Sequence, residues 1–250
     1  MKKKFSIIMV CLNSEKTIQK SIKSFYNQKY TNKELIIIDG GSSDNTLEII
    51  KDSEGVSYFE EKKNLGLYAS LNYGITKSKG DIIGILHSDD EFYNENVLES
   101  INDAFEKNSV TIDYIYSNIV FVDTSDKIKR KWVVGNLSQN DIFFGNFPPH
   151  TGIFVKKNSF FKTGYYNEKL KISSDIEYIF RLFTEKTLKG KYLNTFTLKM
   201  KLGGLSTKSF KNILYANFES YIALKNVKIG YLRSLLVILL KVLRKLRQLI

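Results

Sequence analysis

Two carboxylates stand side by side at Asp89 and Asp90, directly after the apolar run "DIIGILH", in a chain whose formal net charge is +12. Unpaired like charges this close resist ionising together. A divalent cation removes the conflict, because Mg2+ and Mn2+ favour hard oxygen ligands, keep several waters and take further ligands from substrate phosphates. Held there, a cation neutralises a diphosphate leaving group. The same "SDDE" also suits the N-cap and acidic first turn of a following helix, so the dipeptide alone leaves both uses open. Asp39, which closes "LIIID", has a similar double reading. A carboxylate at a strand end accepts the hydroxyls of a ribose, or it caps the turn at the two glycines that follow.

Side chains of this kind do chemistry only where the fold gathers them. The runs "FSIIMVCL", "ELIIID", "VSYFEE" and "DIIGILH" each end in polar residues, and the first three lead into helix-like segments. After the first run, Ile18, Ile22 and Phe25 recur at helical spacing, with Asn13 or Ser14 as the expected N-cap. Strands alternating with helices at this spacing imply βαβ units and a mostly parallel sheet, and the continuous apolar runs suit strands covered on both faces. In such a sheet ligands bind at the carboxyl ends of the strands. Asn13, Asp39, the turn at 40–45, Asn64 with Gly66, and Asp89 with Asp90 then share one edge. A dinucleotide site also needs G-x-G-x-x-G after the first strand, where this chain has "CLNSEK", which argues against a dehydrogenase.

Beyond Asn108 the pattern changes. "IDYIYSNIVFVD" and "KIKRKWVV" read as strands of a mixed or antiparallel region. After the irregular "GNFPPHTG" come a short strand "IFV", a helix over "SSDIEYIFRLF" and a strand-rich "YLNTFTLKM".

Composition narrows the classes. A 250-residue chain with 43% hydrophobic residues can build a proper core, and its 2 prolines and 15 glycines mark no linker. The one cysteine, Cys11, excludes an internal disulfide framework and cysteine-based zinc, and it fits a reducing compartment. The opening "MKKKFSIIMVCL" reads as a first strand and not a signal peptide, since its apolar stretch is short and no small-residue cleavage site follows. No acidic residue follows Glu219, whereas Lys225, Lys228, Arg233, Lys241, Arg244, Lys245 and Arg247 all do. Within this tail Leu232, Leu235, Leu236, Leu239, Leu240, Leu243 and Leu246 follow helical spacing, with basic residues on another face. Its apolar run is too short to span a membrane. A basic amphipathic helix of this kind binds an anionic membrane surface, or docks on the domain or on a second subunit. Leucine in place of stacking aromatics argues against nucleic acid.

Taken together, "SIIMVCLNSEKTIQKSIKSFYNQKY", "ELIIIDGGSSDNT", "KNLGLYASLNYGITKSKGDIIGILHSDDEF" and "SSDIEYIFRL" resemble family 2 glycosyltransferases. The match runs almost continuously through about the first hundred residues, is patchier to Leu182, and leaves the tail almost uncovered. The resemblance implies a GT-A fold: an α/β, Rossmann-like, mostly parallel central sheet flanked by helices. It further implies a nucleotide-sugar half at 1–108 and an acceptor-binding and catalytic half at 109–208, ahead of the helical, basic amphipathic segment at 209–250 that the leucine spacing predicts.

It also implies an inverting, metal-dependent transfer from a nucleoside-diphosphate-sugar, UDP-linked in this reading, to a saccharide or lipid-diphosphate-linked acceptor. The setting by family analogy is bacterial surface polysaccharide such as O-antigen or capsule, at the cytoplasmic face of the membrane. Carried over residue by residue, Asp39 contacts the uridine and Asn64 lies near the nucleotide. Asp89 sits near ribose or sugar, and Cys11, Asn13 and Ser88 line the same donor site. Asp90 is the ligand of Mn2+ or Mg2+. Asp175 matches the general base, with helix capping as its other use. His150 matches a histidine able to meet acceptor, diphosphate or metal. "KLGGLSTK" (201–208) resembles a loop that closes over the donor. Relatives often have Asp or Asn where this chain has His87 or Ser88. A homo-oligomer is compatible with all of this.

Two rival classes remain in view. A nucleotidyltransferase shares a related sheet and metal need but opens with a glycine-rich, basic phosphate loop that is absent after the first strand. A non-catalytic membrane-surface protein would use the strand-end acids only as caps.

Overall fold

In the computed structural model, which describes residues 2–107, 111–203, 210–227, 230 and 234–240, the apolar runs become strands, those of the first, second and fourth runs covered on both faces and that of "VSYFEE" lying at the sheet edge. β1 (Phe5–Cys11), β2 (Lys33–Asp39), β3 (Val56–Glu61) and β4 (Ile82–Ile85) alternate with α1 (Ile18–Tyr26), α2 (Thr46–Lys51) and α3 (Leu67–Lys77). β1 pairs in parallel with β2 and with β4, and β2 pairs in parallel with β3. Side chains alternate along a strand. Accordingly Ile8 of β1 joins one apolar cluster with Ile36, Ile38 and Leu71, while Ile7 and Met9 join another with Ile18, Ile22 and Phe25.

The short β5 (Glu91–Phe92) and α4 (Val97–Glu106) follow. The second half contains β6 (Tyr114–Val122), β7 (Ile128–Trp132), α5 (Gln139–Phe143), β8 (Ile153–Lys156), α6 (Phe160–Thr163), α7 (Ser174–Thr184), β9 (Gly190–Lys201) and α8 (Phe210–Asn226). Among the described residues nine strands form one sheet in the order β3-β2-β1-β4-β8-β6-β9-β5, with β7 paired to β6. The mixed character expected beyond Asn108 is present. β8 runs antiparallel to β4 and β6, whereas β9 returns parallel to β6 after α7. The expected boundaries at 108/109 and 208/209 both touch residues outside those described.

One local expectation fails. α1 begins at Ile18, and its N-cap is Thr17, with no side-chain cap bond. Asn13, at φ 50, and Ser14 are engaged elsewhere, because tertiary partners on the 40–46 segment compete successfully for them. α1 still buries Ile18, Ile22 and Phe25 as the spacing requires.

β4 delivers the acidic pair, and its packing is tight. A Cβ on Gly84 would lie 2.7 Å from Phe154 Cε1 and 2.9 Å from Ile7 Cδ1, both side chains of neighbouring strands in the core. Overpacking of this kind costs about 1–3 kcal/mol. Gly84→Ala is therefore expected to lower the unfolding free energy by about that much in urea titrations; an unchanged midpoint would contradict the packing.

Candidate active site at the strand ends

The ends of β1 and β2 are tied to each other through Asp39. Its side chain is fully buried. The backbone N–H groups of Gly41 and Ser42 each donate to Oδ1 at 2.8 Å, and Ser42 Oγ donates to Oδ2 at 2.6 Å. Cys11, register partner of Asp39, donates its thiol to Oδ2 at 3.3 Å. Burial, reinforced by Asp39, pushes that thiol well above its ordinary range, so it stays a donor. Asp39 thus folds the 40–45 turn through four protein donors. Asn13 braces the same turn, accepting from Ser43 N at 2.9 Å and donating its own N–H to Ser42 Oγ at 2.8 Å. Asn64 is exposed in the left-handed region at φ 58, ahead of α3, and its N–H donates to Gly40 O.

The residues after β4 join these strand ends to the rest of the sheet. Ser88 Oγ lies 2.8 Å from Ser14 Oγ. Asp89 is half-buried. Asp90 is 1% exposed. Its Oδ1 accepts the Lys201 backbone N–H at 3.3 Å, and its buried Oδ2 has no hydrogen-bond partner. Burial above all, and the neighbouring Asp89 charge, hold the Asp90 carboxyl well above the usual carboxylate range. An unpartnered carboxylate oxygen in that setting suits a divalent cation. The described residues contain no group of three or more His, Cys, Asp or Glu able to hold a metal ion. Water and substrate phosphates would therefore complete its shell.

On the other side of the same stretch stands Asp175, in the first turn of α7. His150 Nδ1 faces Asp175 Oδ2 at 3.5 Å, and His150 Nε2 is 2.9 Å from His87 Nε2. Burial lowers both imidazoles to about 4, aided in His87 by the other ring, so both are neutral near pH 7. Tyr68, on α3, donates its hydroxyl to Ile172 O at 2.6 Å, and the hydroxyl oxygen lies 3.4 Å from both Asp175 Oδ1 and Asp175 N. The loop ahead of α7 is held by Glu219 of α8, whose carboxylate accepts the N–H groups of Lys171, Ile172 and Ser173 at 2.8, 2.6 and 3.1 Å.

The expected residues therefore fall into two connected groups. Cys11, Asn13, Asp39, Ser88 and Asp90 cluster around the strand ends, with Asn64 at their border. His150 and Asp175 form the second group, and His87 and Ser88 connect the two. Arg181 lies away from both, donating to the carbonyls of Thr163 and Tyr165. Of the loop expected at 201–208, only Lys201 to Gly203 belong to the described residues. Sequence reasoning did not reach Tyr68, nor the partnership of His87 with His150. It used Glu219 only as the last acid of the chain, although a lone carboxylate ahead of a basic tail was the available signal.

A family model described as "Glycosyl transferase family 2" matches residues 6–177. An uncharacterised glycosyltransferase of Haemophilus influenzae is 36% identical over 134 residues, covering 49% of this chain and 54% of the relative, so the chain spans about half of that protein's length. A PGL/p-HBAD biosynthesis glycosyltransferase of Mycobacterium bovis is 25% identical over 207 residues, 81% of this chain and 78% of the relative. Among solved structures, S. aureus TarS 1–349 in complex with UDP-GlcNAc superposes with a TM-score of 0.69 at 15% identity, covering 92% of this chain and 69% of that one. The Pyrobaculum calidifontis mannosyltransferase PcManGT with GDP-Man and Mn2+ gives 0.67 at 10% identity, covering 95% and 70%. At these identities the structural likeness speaks for the fold.

Asp90 carries a consequence for stability. Because its native carboxyl is raised above the unfolded value, the unfolded chain releases that proton first as pH rises, and the native state loses relative stability up to the raised native value. Asp90→Asn removes this dependence. In the absence of added metal the variant is expected to melt above wild type at about pH 8, with the difference closing toward about pH 4 in thermal scans. A variant melting below wild type at the higher pH contradicts a buried, uncompensated charge.

Proposed function

Because the chain belongs to glycosyl transferase family 2, we propose that it is an inverting enzyme moving one sugar from a nucleoside-diphosphate-sugar to a saccharide or lipid-linked saccharide. The observation that carries this reading is the stretch 87–90, which joins two carboxylates of different character within one site. Asp90 has a buried, unpartnered oxygen on the donor side. Asp175 is half-buried beside neutral His150 on the other. Family membership weighs against both the nucleotidyltransferase and the non-catalytic reading.

In this scheme the donor lies along the strand ends. The turn folded by Asp39 and braced by Asn13 receives the uridine, with Cys11 buried behind it. Asn64 borders the nucleotide, and Ser88 and Asp89 face ribose or sugar. Asp90 would hold Mn2+ or Mg2+, which when bound supplies positive charge to the departing diphosphate. Asp175 takes the proton of the acceptor hydroxyl as that oxygen forms its bond to the anomeric carbon from the face opposite the diphosphate. The C–O bond to the diphosphate breaks, and its electron pair leaves with the nucleotide. UDP bound by TarS and GDP-Man bound by PcManGT support a nucleotide-sugar donor as a class.

The tail supports a placement at the cytoplasmic membrane face, in surface-polysaccharide or glycolipid assembly. No helix among the described residues is long and apolar enough to cross a membrane. Within the helical stretch 234–240, Ser234 and Val237 are buried, and a Cβ on Gly145 would meet Val237 O at 2.7 Å. Leu235, Leu236 and Leu239 face outward at 46%, 42% and 56% exposure. Leu235, Leu236 and Leu239 are thus not on the docked side, which leaves them available to lipid. Of the expected basic residues, Lys228, Arg233, Lys241, Arg244, Lys245 and Arg247 lie outside those described. A further groove between α8 and the 171–172 loop, about 710 Å³ and lined by Lys171, Ile172, Lys211, Leu214 and Phe218 among others, suits the lipid end of such an acceptor.

Two outcomes are expected. In a screen of nucleotide-sugars with Mn2+, Asp175→Asn retains donor binding by calorimetry but loses about 10²–10⁴-fold in transfer; full transfer by the variant removes Asp175 from the base role. Leu236→Asp with Leu239→Asp is expected to release the protein from sedimenting vesicles containing anionic lipid, and undiminished binding would mean that the contact lies elsewhere.

A further inference from the structure

The chain has two histidines. They are 63 residues apart in sequence, yet their Nε2 atoms lie 2.9 Å apart with ring centroids at 5.1 Å. Two imidazole nitrogens at this distance share one proton, one as donor and one as acceptor. Which ring donates follows from the third group. His150 Nδ1 faces Asp175 Oδ2, and a carboxylate only accepts, so Nδ1 is the protonated nitrogen of His150. In a neutral ring the other nitrogen is then bare. His150 Nε2 accepts, and His87 Nε2–H donates.

We propose that His87 is a positioning residue for Asp175, fixing His150 in the tautomer that presents Nδ1–H to the Asp175 carboxylate. This rests on the reading of Asp175 as the general base. Reversing the His150 tautomer would set a ring lone pair against Oδ2 and turn the carboxylate away. With the chain of donors intact, His150 Nδ1 faces Oδ2 at 3.5 Å while Oδ1 lies 3.4 Å from the Tyr68 hydroxyl. The acceptor proton then meets a carboxylate of fixed orientation. His87 supplies this from the segment that follows β4, where its carbonyl also accepts the Asp90 N–H at 3.1 Å. The residue that helps shape the turn at Asp90 through its backbone therefore aligns the base through its side chain.

Having two histidines makes the test direct. In 15N-histidine-labelled full-length protein at neutral pH, His150 is expected in the Nδ1–H form and His87 in the Nε2–H form, with a scalar coupling across the Nε2–H···Nε2 bond. His87→Leu should send His150 to a tautomer mixture, and His87→Gln, which keeps an amide donor, should restore it. In kinetics with a working donor, His87→Leu is expected to lower kcat about 10- to 100-fold, the scale of a misplaced reacting group, with the donor KM little changed. The loss should vanish when His87→Leu is added to His150→Ala, since coupled residues are non-additive. Any other tautomer pair, a loss confined to donor KM, or losses that multiply in the double variant would overturn the proposal. Full transfer by Asp175→Asn would instead overturn Asp175 as the base, with the spectra still deciding how the histidines pair.

Discussion

Between the end of β4 at Ile85 and the start of β5 at Glu91 the chain crosses from the interior of the sheet to its edge, with three strands lying between those two in the sheet order. The site depends on this short crossing. Successive side chains have separate partners: His87 meets His150, Ser88 meets Ser14, and Asp90 meets the backbone of Lys201. A strand end has no regular ladder to satisfy it, so these contacts define its course. The contacts of Asp90 on one side and of His87 on the other are consequently parts of one backbone turn and cannot be displaced independently.

Electrostatics runs against the composition. The chain as a whole is strongly positive, while the strand ends bury Asp39 and Asp90. The two carboxylates are treated differently. Asp39 has every hydrogen bond met by protein donors and acts as structure. Asp90 keeps an oxygen unmet, which in a native fold calls for a specific explanation. The neutral histidines add no charge of their own. Their contribution is directional, through which nitrogen carries the proton.

The first half of the fold was legible because both of its signals are local. Runs such as "IIMV" and "LIII" have the length and polarity of doubly covered strands, and strand ends follow from strand boundaries. Asp39 and Asp90 were found this way, as ends of runs. What sequence could not supply was pairing at long range. His87 and His150, Tyr68 and Asp175, and Glu219 with the 171–173 backbone each meet through the order of strands across the sheet. The same cause defeated the cap expected at Asn13 or Ser14. Local capping preference there is worth about 1 kcal/mol, and the partners on the neighbouring 40–46 segment outweighed it.

The Glu219 clamp separates two boundaries that are easily equated. The family model's match ends at residue 177, yet the backbone just before Asp175 is held by a carboxylate supplied from α8. An exchange of modules that kept the matched segment and replaced everything after it would carry Asp175 but lose the clamp on the loop ahead of it. A chimera with a relative must therefore carry its own helix to match its own loop.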